Sequence, residues 1–203
     1  MNYLLHGFLG FPEDWSFINS CDYARPSIHD SHHLDINEET TLVGYSLGGR
    51  IALSLAAERG FSLKRLVLIS SHIGLRNNSE RLERENKDSL ILKNLKKMSG
   101  DEFLSYWNSL DVFTHDLPLK KYNMMGDNVT LFERWKLSRY PYYLEEIIKN
   151  KTKIVYIYGD YDETYKKIGI ELRNLGVPVR SIESGHRCLS QPEKLYTVLK
   201  EFL

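Results

Sequence analysis

The sequence is short of several things, and each shortage excludes a class of protein. Two cysteines in 203 residues, Cys21 and Cys188, are too few for a disulfide framework and fit no Cys-x-x-Cys metal spacing. A reducing cytoplasm is therefore the expected compartment, with no structural zinc. No stretch approaches the roughly 20 apolar residues of a membrane span. The start, MNYLLHGFLG, lacks a basic region, and His6 and Gly7 interrupt its apolar run, so it does not read as a secretory signal. Net charge is also missing: 27 Lys and Arg balance 27 Asp and Glu, which leaves no global attraction to nucleic acid or to an anionic membrane.

What is present is core-forming material. Hydrophobic residues make up 42% of the chain and aromatic residues 12%, with only six prolines, a composition far from that of a disordered segment. The length suits a single domain over residues 1–203. Short apolar runs recur at Tyr3 to Leu5, Thr41 to Val43, Leu66 to Ile69, Ile154 to Tyr158 and Val177 to Ile182. Continuous runs of this length, rich in Val, Ile and Leu, suit parallel strands buried on both faces. Helix-forming stretches lie between and after them, at Arg50 to Arg59 and Glu193 to Leu203. The alternation predicts an α/β domain, a mostly parallel sheet flanked by helices.

Between Ser70 and Lys153 the pattern changes. Charge-laced amphipathic segments at Glu80 to Lys97, Asp101 to Asn108, Val129 to Leu137 and Tyr142 to Lys149 are punctuated by Ser99-Gly100, Leu117-Pro118, Met125-Gly126 and Tyr140-Pro141. They predict a helical insertion, a lid over about residues 72–150, within the single domain.

The most informative string is TLVGYSLGGR at 41–50, which contains the pattern Gly-x-Ser-x-Gly centred on Ser46. An apolar strand before it and a helix after it give the pattern physical meaning, because so tight a turn leaves little room for side chains beside the serine. Ser46 is then lifted to the carboxyl end of the sheet, where the following helix presents its N–H groups. A serine nucleophile needs a base, and the base needs a group to hold its tautomer. His186, in a loop after the last strand, is the expected base; His115, in the insertion, is the rival. The acid should follow the strand IVYIYG, where Asp160, Asp162 and Glu163 compete and Asp162 is preferred. The N–H groups of Phe8 and Leu47 are expected to form an oxyanion hole. His6 reads as a structural residue near that loop. His29, His32 and His33 lack the carboxylate or cysteine pattern that would complete a metal site.

The segments LLHGFLG, GYSLGGR, VYIYGDYDE and SGH resemble, in order and over nearly the whole chain, the α/β-hydrolase superfamily. Within it the similarity is to the 2-succinyl-6-hydroxy-2,4-cyclohexadiene-1-carboxylate synthases of menaquinone biosynthesis, on HGF, GYSLGGR and the lid opening GLRNNSERLERENKD. The N-terminal part is shortened: PSIHDSHH stands where the usual proline-glycine-histidine segment would be, and edge strands are expected to be absent or vestigial. The resemblance implies a triad of Ser46, Asp162 and His186, and a substrate pocket with Tyr45, Arg50, Arg84 and Trp107; Arg139 is a candidate for a further arginine. It implies no metal or organic cofactor, and an elimination that releases pyruvate from a succinyl-enolpyruvyl-cyclohexene carboxylate. A carboxylesterase or thioesterase working through an acyl-serine is the alternative that the triad alone would support. The expected partner is a small anionic substrate, since arginine's planar fork suits carboxylates.

Overall fold

The computed structural model describes residues 1–123 and 127–203, so the Met125-Gly126 break lies outside the described residues. Six strands, β1 (Asn2–Leu5), β2 (Tyr23–Ala24), β3 (Thr41–Tyr45), β4 (Arg65–Ile69), β5 (Ile154–Gly159) and β6 (Val179–Ile182), form one sheet in the order β2-β1-β3-β4-β5-β6. Every neighbouring pair is parallel. The helices are α1 (Leu47–Glu58), α2 (Asn78–Lys97), α3 (Gly100–Asn108), α4 (Asn128–Arg134), α5 (Leu144–Lys149), α6 (Glu163–Asn174) and α7 (Pro192–Leu199). The expected α/β architecture is the observed one.

Strand side chains alternate between two buried layers. Leu5, Leu42, Leu66, Leu68, Ile154 and Tyr156 share one layer with Ile51 and Leu55 of α1 and Leu172 of α6. Leu4, Val43, Val67, Ile69, Val155 and Ile157 face the other, with Leu195 and Leu199 of α7 and Trp15 from a short turn. Burial on both faces explains why the strands read as continuous apolar runs. Each such aliphatic side chain contributes about 1.5–3 kcal/mol by leaving water.

Two elements escaped the sequence pattern. β2 is only two residues long and carries no periodic signal. α6 was hidden by its lysines, although Tyr165, Ile168, Gly169 and Leu172 recur at helical spacing on one face. Two boundaries also moved: α4 ends at Arg134, with Leu137–Arg139 a separate 3-10 turn, and β6 starts at Val179, after Pro178, which has no N–H to give a ladder.

Between β4 and β5, α2 is capped by Asn77, whose side chain accepts from the Glu80 N–H at 2.9 Å. α3 opens with a capping box between Ser99 and Glu102. Ile91 of α2, Phe103 of α3 and Phe132 of α4 form a small cluster of their own with Leu9. α5 instead buries Ile147 in the main core. The strand order reverses between β1 and β3, so their carboxyl ends open a crevice, the usual ligand position in an open parallel sheet.

Candidate active site

Ser46 sits at that crevice, on the turn from β3 into α1, with φ 51° and ψ −112°. The turn is possible because Gly48 has no side chain: a Cβ there would lie 2.4 Å from the His6 carbonyl oxygen. Three hydrogen bonds over-determine the serine backbone, from the Ser46 N–H to Ile69 at 2.9 Å, and to its carbonyl from the Arg50 N–H at 3.2 Å and the Ser71 hydroxyl at 3.1 Å.

The Ser46 Oγ lies 3.0 Å from His186 Nε2, and His186 Nδ1 lies 2.7 Å from Asp162 Oδ2. The histidine and aspartate are 3% and 4% exposed, so this pair is shielded from water. The rings of Tyr165, Phe113 and Tyr45 surround His186, with centroids 4.6, 5.5 and 5.7 Å away. Asp162 also caps α6, its other oxygen accepting from the Tyr165 N–H at 3.4 Å. A donor at Nδ1 leaves Nε2 as the acceptor for the Ser46 hydroxyl. Of the competing acids, Asp162 is the one brought to the histidine. Asp160 holds the strand end through its backbone, donating to the Ile182 carbonyl at 2.9 Å. His115 is exposed at the rim, 6.1 Å from the Tyr161 ring.

A cavity of about 860 Å³ opens over the serine, lined among others by Phe8, Ser46, Arg50, Arg84, Trp107 and His186. Leu47 also lines it and opens α1, where the first N–H groups have no acceptor within the helix. His6 shapes the facing loop, its Nδ1 donating to the Gly7 carbonyl at 2.8 Å and its Nε2 accepting from the Ile28 N–H at 3.4 Å. Burial pushes the His6 pKa down, in keeping with a neutral structural ring.

Two arginines enter the cavity by different supports. Arg50 donates to the Trp135 carbonyl and lies 5.8 Å from the centroid of the Tyr140 ring. Burial lowers its pKa, against the opposing pull of Tyr165. Arg84 donates from Nε to Asp88 at 2.7 Å, and the other oxygen of that fully buried carboxylate accepts from the Ser138 N–H at 2.9 Å. The guanidinium is thus aimed by its Nε, and its terminal nitrogens remain for a ligand. Trp107 packs against Phe8 and Phe113, with centroids 5.2 and 5.5 Å apart, and forms an apolar wall.

The Tyr45 ring, half-buried next to Ser46, fills the space over Gly7, where a Cβ would lie 2.8 Å from it, and burial raises its pKa well above the ordinary value. Arg139 is exposed on its 3-10 turn and does not line the cavity. Among the described residues no group of three or more His, Cys, Asp or Glu is placed to hold a metal.

Two features went unread in the sequence. His72 lines the cavity just beyond the carboxyl end of β4, a position that the crevice rule alone could have flagged. Arg187, next to His186, ties the histidine loop to the insertion. Its guanidinium donates to the Leu117 carbonyl at 2.6 Å and to Asn108 at 2.7 Å and stacks 4.0 Å from the Phe113 centroid, while its N–H donates to Asp116 at 2.9 Å.

No family model matches the chain. Among curated proteins, a Bacillus subtilis chain provisionally named 2-succinyl-6-hydroxy-2,4-cyclohexadiene-1-carboxylate synthase is 26% identical over 98% of this chain and 88% of its own. The synthase of that name from Escherichia coli is 24% identical over 83% of this chain and 80% of its own. Among solved structures, MenH from S. aureus superposes with a TM-score of 0.80 at 20% identity, covering 100% of this chain and 92% of its own. An esterase from Thermogutta terrifontis gives 0.64 at 14% identity, covering 99% and 88%. Backbone likeness to a synthase and to an esterase, joined to sequence similarity to named synthases, makes this chain an enzyme of the α/β-hydrolase fold that is similar to the 2-succinyl-6-hydroxy-2,4-cyclohexadiene-1-carboxylate synthases.

Proposed function

We propose that the protein eliminates pyruvate from a succinyl-enolpyruvyl-cyclohexene carboxylate, giving 2-succinyl-6-hydroxy-2,4-cyclohexadiene-1-carboxylate for menaquinone biosynthesis. The observation that carries this reading is the convergence of Arg50 and Arg84 on the cavity that contains Ser46 and His186. A simple ester needs no such pair of cations, whereas a substrate with several carboxylates does.

In this reading Ser46, His186 and Asp162 are the catalytic triad. Asp162 holds the proton of His186 on Nδ1, and Nε2 draws the proton from the Ser46 hydroxyl. Ser46 then acts as a base toward a ring carbon instead of attacking a carbonyl. The electron pair released forms the new ring double bond, and the carbon–oxygen bond to the enolpyruvyl group breaks. The leaving enolate takes up a proton and becomes pyruvate. The Phe8 and Leu47 N–H groups form the oxyanion hole that receives charge spread onto a substrate oxygen. Trp107 and Phe113 shield the ring from water, and the small anionic substrate requires neither a metal nor an organic cofactor.

The test is direct. Purified protein given the authentic substrate should release pyruvate, measured by coupled reduction, and Ser46→Ala should lower the rate by at least about 10³-fold. No pyruvate from a folded wild-type sample would sink the reading. A second reading, a carboxylesterase, is favoured by the backbone likeness to esterases and by the apolar wall of the cavity. Burst release from a p-nitrophenyl ester with a trapped acyl group on Ser46 would support it.

A further inference from the structure

His72 is the cavity residue that the serine machinery and the two arginines leave unexplained. It follows β4 within the sequence SSHIG, and its Nδ1 accepts from the Gly74 N–H at 3.1 Å. That N–H is well fixed. Gly74 adopts φ +103°, and a Cβ there would lie 2.0 Å from the Pro141 carbonyl oxygen, so the loop is pressed against the segment before α5. The Tyr143 N–H donates to the Ile73 carbonyl at 2.8 Å and closes the same contact.

An acceptor at Nδ1 means that the neutral ring carries its proton on Nε2. With Nδ1 turned to the backbone, Nε2 is the nitrogen left for the cavity that His72 lines with Ser46, Arg50 and Arg84. The groups around the ring disfavour a positive charge: Arg50 from α1, Arg84 from α2 and Arg76 at the loop, with the Tyr165 ring of α6 edge-on at 6.2 Å. Burial first, then Arg50 and Arg84, bring the His72 pKa down to about 3.

We propose that His72 is a substrate-binding residue, an uncharged Nε2–H donor to a substrate carboxylate oxygen that Arg50 and Arg84 also engage. The proposal rests on reading the cavity as a site for a polycarboxylate. A third cation would repel both guanidinium groups, whereas a neutral imidazole adds a directional hydrogen bond at no electrostatic cost. Held by Gly74, the ring needs no reorganisation to make it.

Succinate, an unreactive dicarboxylate, tests this in the full chain. Wild-type protein should bind it saturably by titration calorimetry at pH 7, and His72→Phe should weaken binding about tenfold. The same variant should raise KM for the enolpyruvyl substrate by a similar factor and change kcat less than about threefold. His72→Gln, which keeps a donor, should recover most of the affinity, and thermal melts check that both variants fold. Nitrogen NMR of the wild-type imidazole at pH 6 should show a neutral ring with the proton on Nε2. Unchanged succinate affinity in folded His72→Phe, a cationic ring at pH 6, or no saturable succinate binding to the wild type at millimolar concentration would each overturn the proposal. If succinate binding depends on His72 but no pyruvate is released, the elimination reading fails and the role of His72 stands. If pyruvate is released and His72→Phe behaves as wild type, only the role of His72 fails.

Discussion

At Ser46 the chain gives up local stability for position. A non-glycine residue at φ 51° and ψ −112° costs on the order of 1–3 kcal/mol, and the bonds from Ile69, Arg50 and Ser71 hold it there. Ser46→Gly should therefore raise stability by about 1 kcal/mol in denaturant unfolding while removing pyruvate release. Gly48→Ala should instead lower stability, since its Cβ would press on the His6 carbonyl; about 3 kcal/mol or more is expected to go. His72 adds a pH dependence of known sign. Its folded pKa lies near 3, below the ordinary 6.5, so on acidification the unfolded chain takes up a proton that the folded chain refuses. Stability contributed by the neutral ring is present above pH 6.5 and is lost as pH falls toward 3. Burial lowers the pKa of His6 too, and it acts in the same direction. His72→Gln should flatten the decline between pH 7 and 5 without abolishing it, as read from unfolding midpoints at the two pH values.

Among elements, the loop after β6 is tied through Arg187 to the segment between β4 and β5. Arg187 reaches Asn108 at the end of α3 and the carbonyl of Leu117, and its stacking on Phe113 places that ring against His186. Arg187→Met preserves stacking bulk and deletes the donors. The expected result is a fall in kcat/KM of about tenfold, with faster hydrogen exchange in residues 108–119. Unchanged exchange would show that the tie does not hold the segment. This tie was not legible in the sequence, because its partners lie some seventy residues apart in the chain and carry no shared pattern. Apart from the two-residue β2, the strands were legible, since burial on both faces writes itself as a run of apolar residues. So was the serine turn, where close backbone approach at Gly44 and Gly48 demands glycine. The acid remained ambiguous between Asp160 and Asp162 because the choice depends on where the chain leaves β5, which no local residue type dictates. Once Asp160 pairs its backbone with Ile182, Asp162 is the residue left to cap α6 and face His186.

For the whole molecule, the balance of 27 cationic and 27 anionic side chains means that attraction for an anion is local. Arg50, Arg84 and the neutral His72 face the cavity, whose rim also carries Lys87 paired with Glu83, while other ion pairs, such as Lys194 with Glu183, lie on the surface away from it. At physiological salt the screening length is about 8 Å, so charges outside the cavity contribute little to capture of a substrate. An enzyme steered by net charge loses association rate steeply as salt rises; this one should not. Raising ionic strength from 0.05 to 0.5 M should increase KM only about two- to threefold and leave kcat unchanged, because screening weakens a contact inside the cavity far less than an exposed one. Arg84→Ala should raise KM by about tenfold or more and remove most of the remaining salt dependence. Steady-state pyruvate release across that salt range decides the point, and a tenfold rise in wild-type KM would place the attraction on the surface instead of within the site.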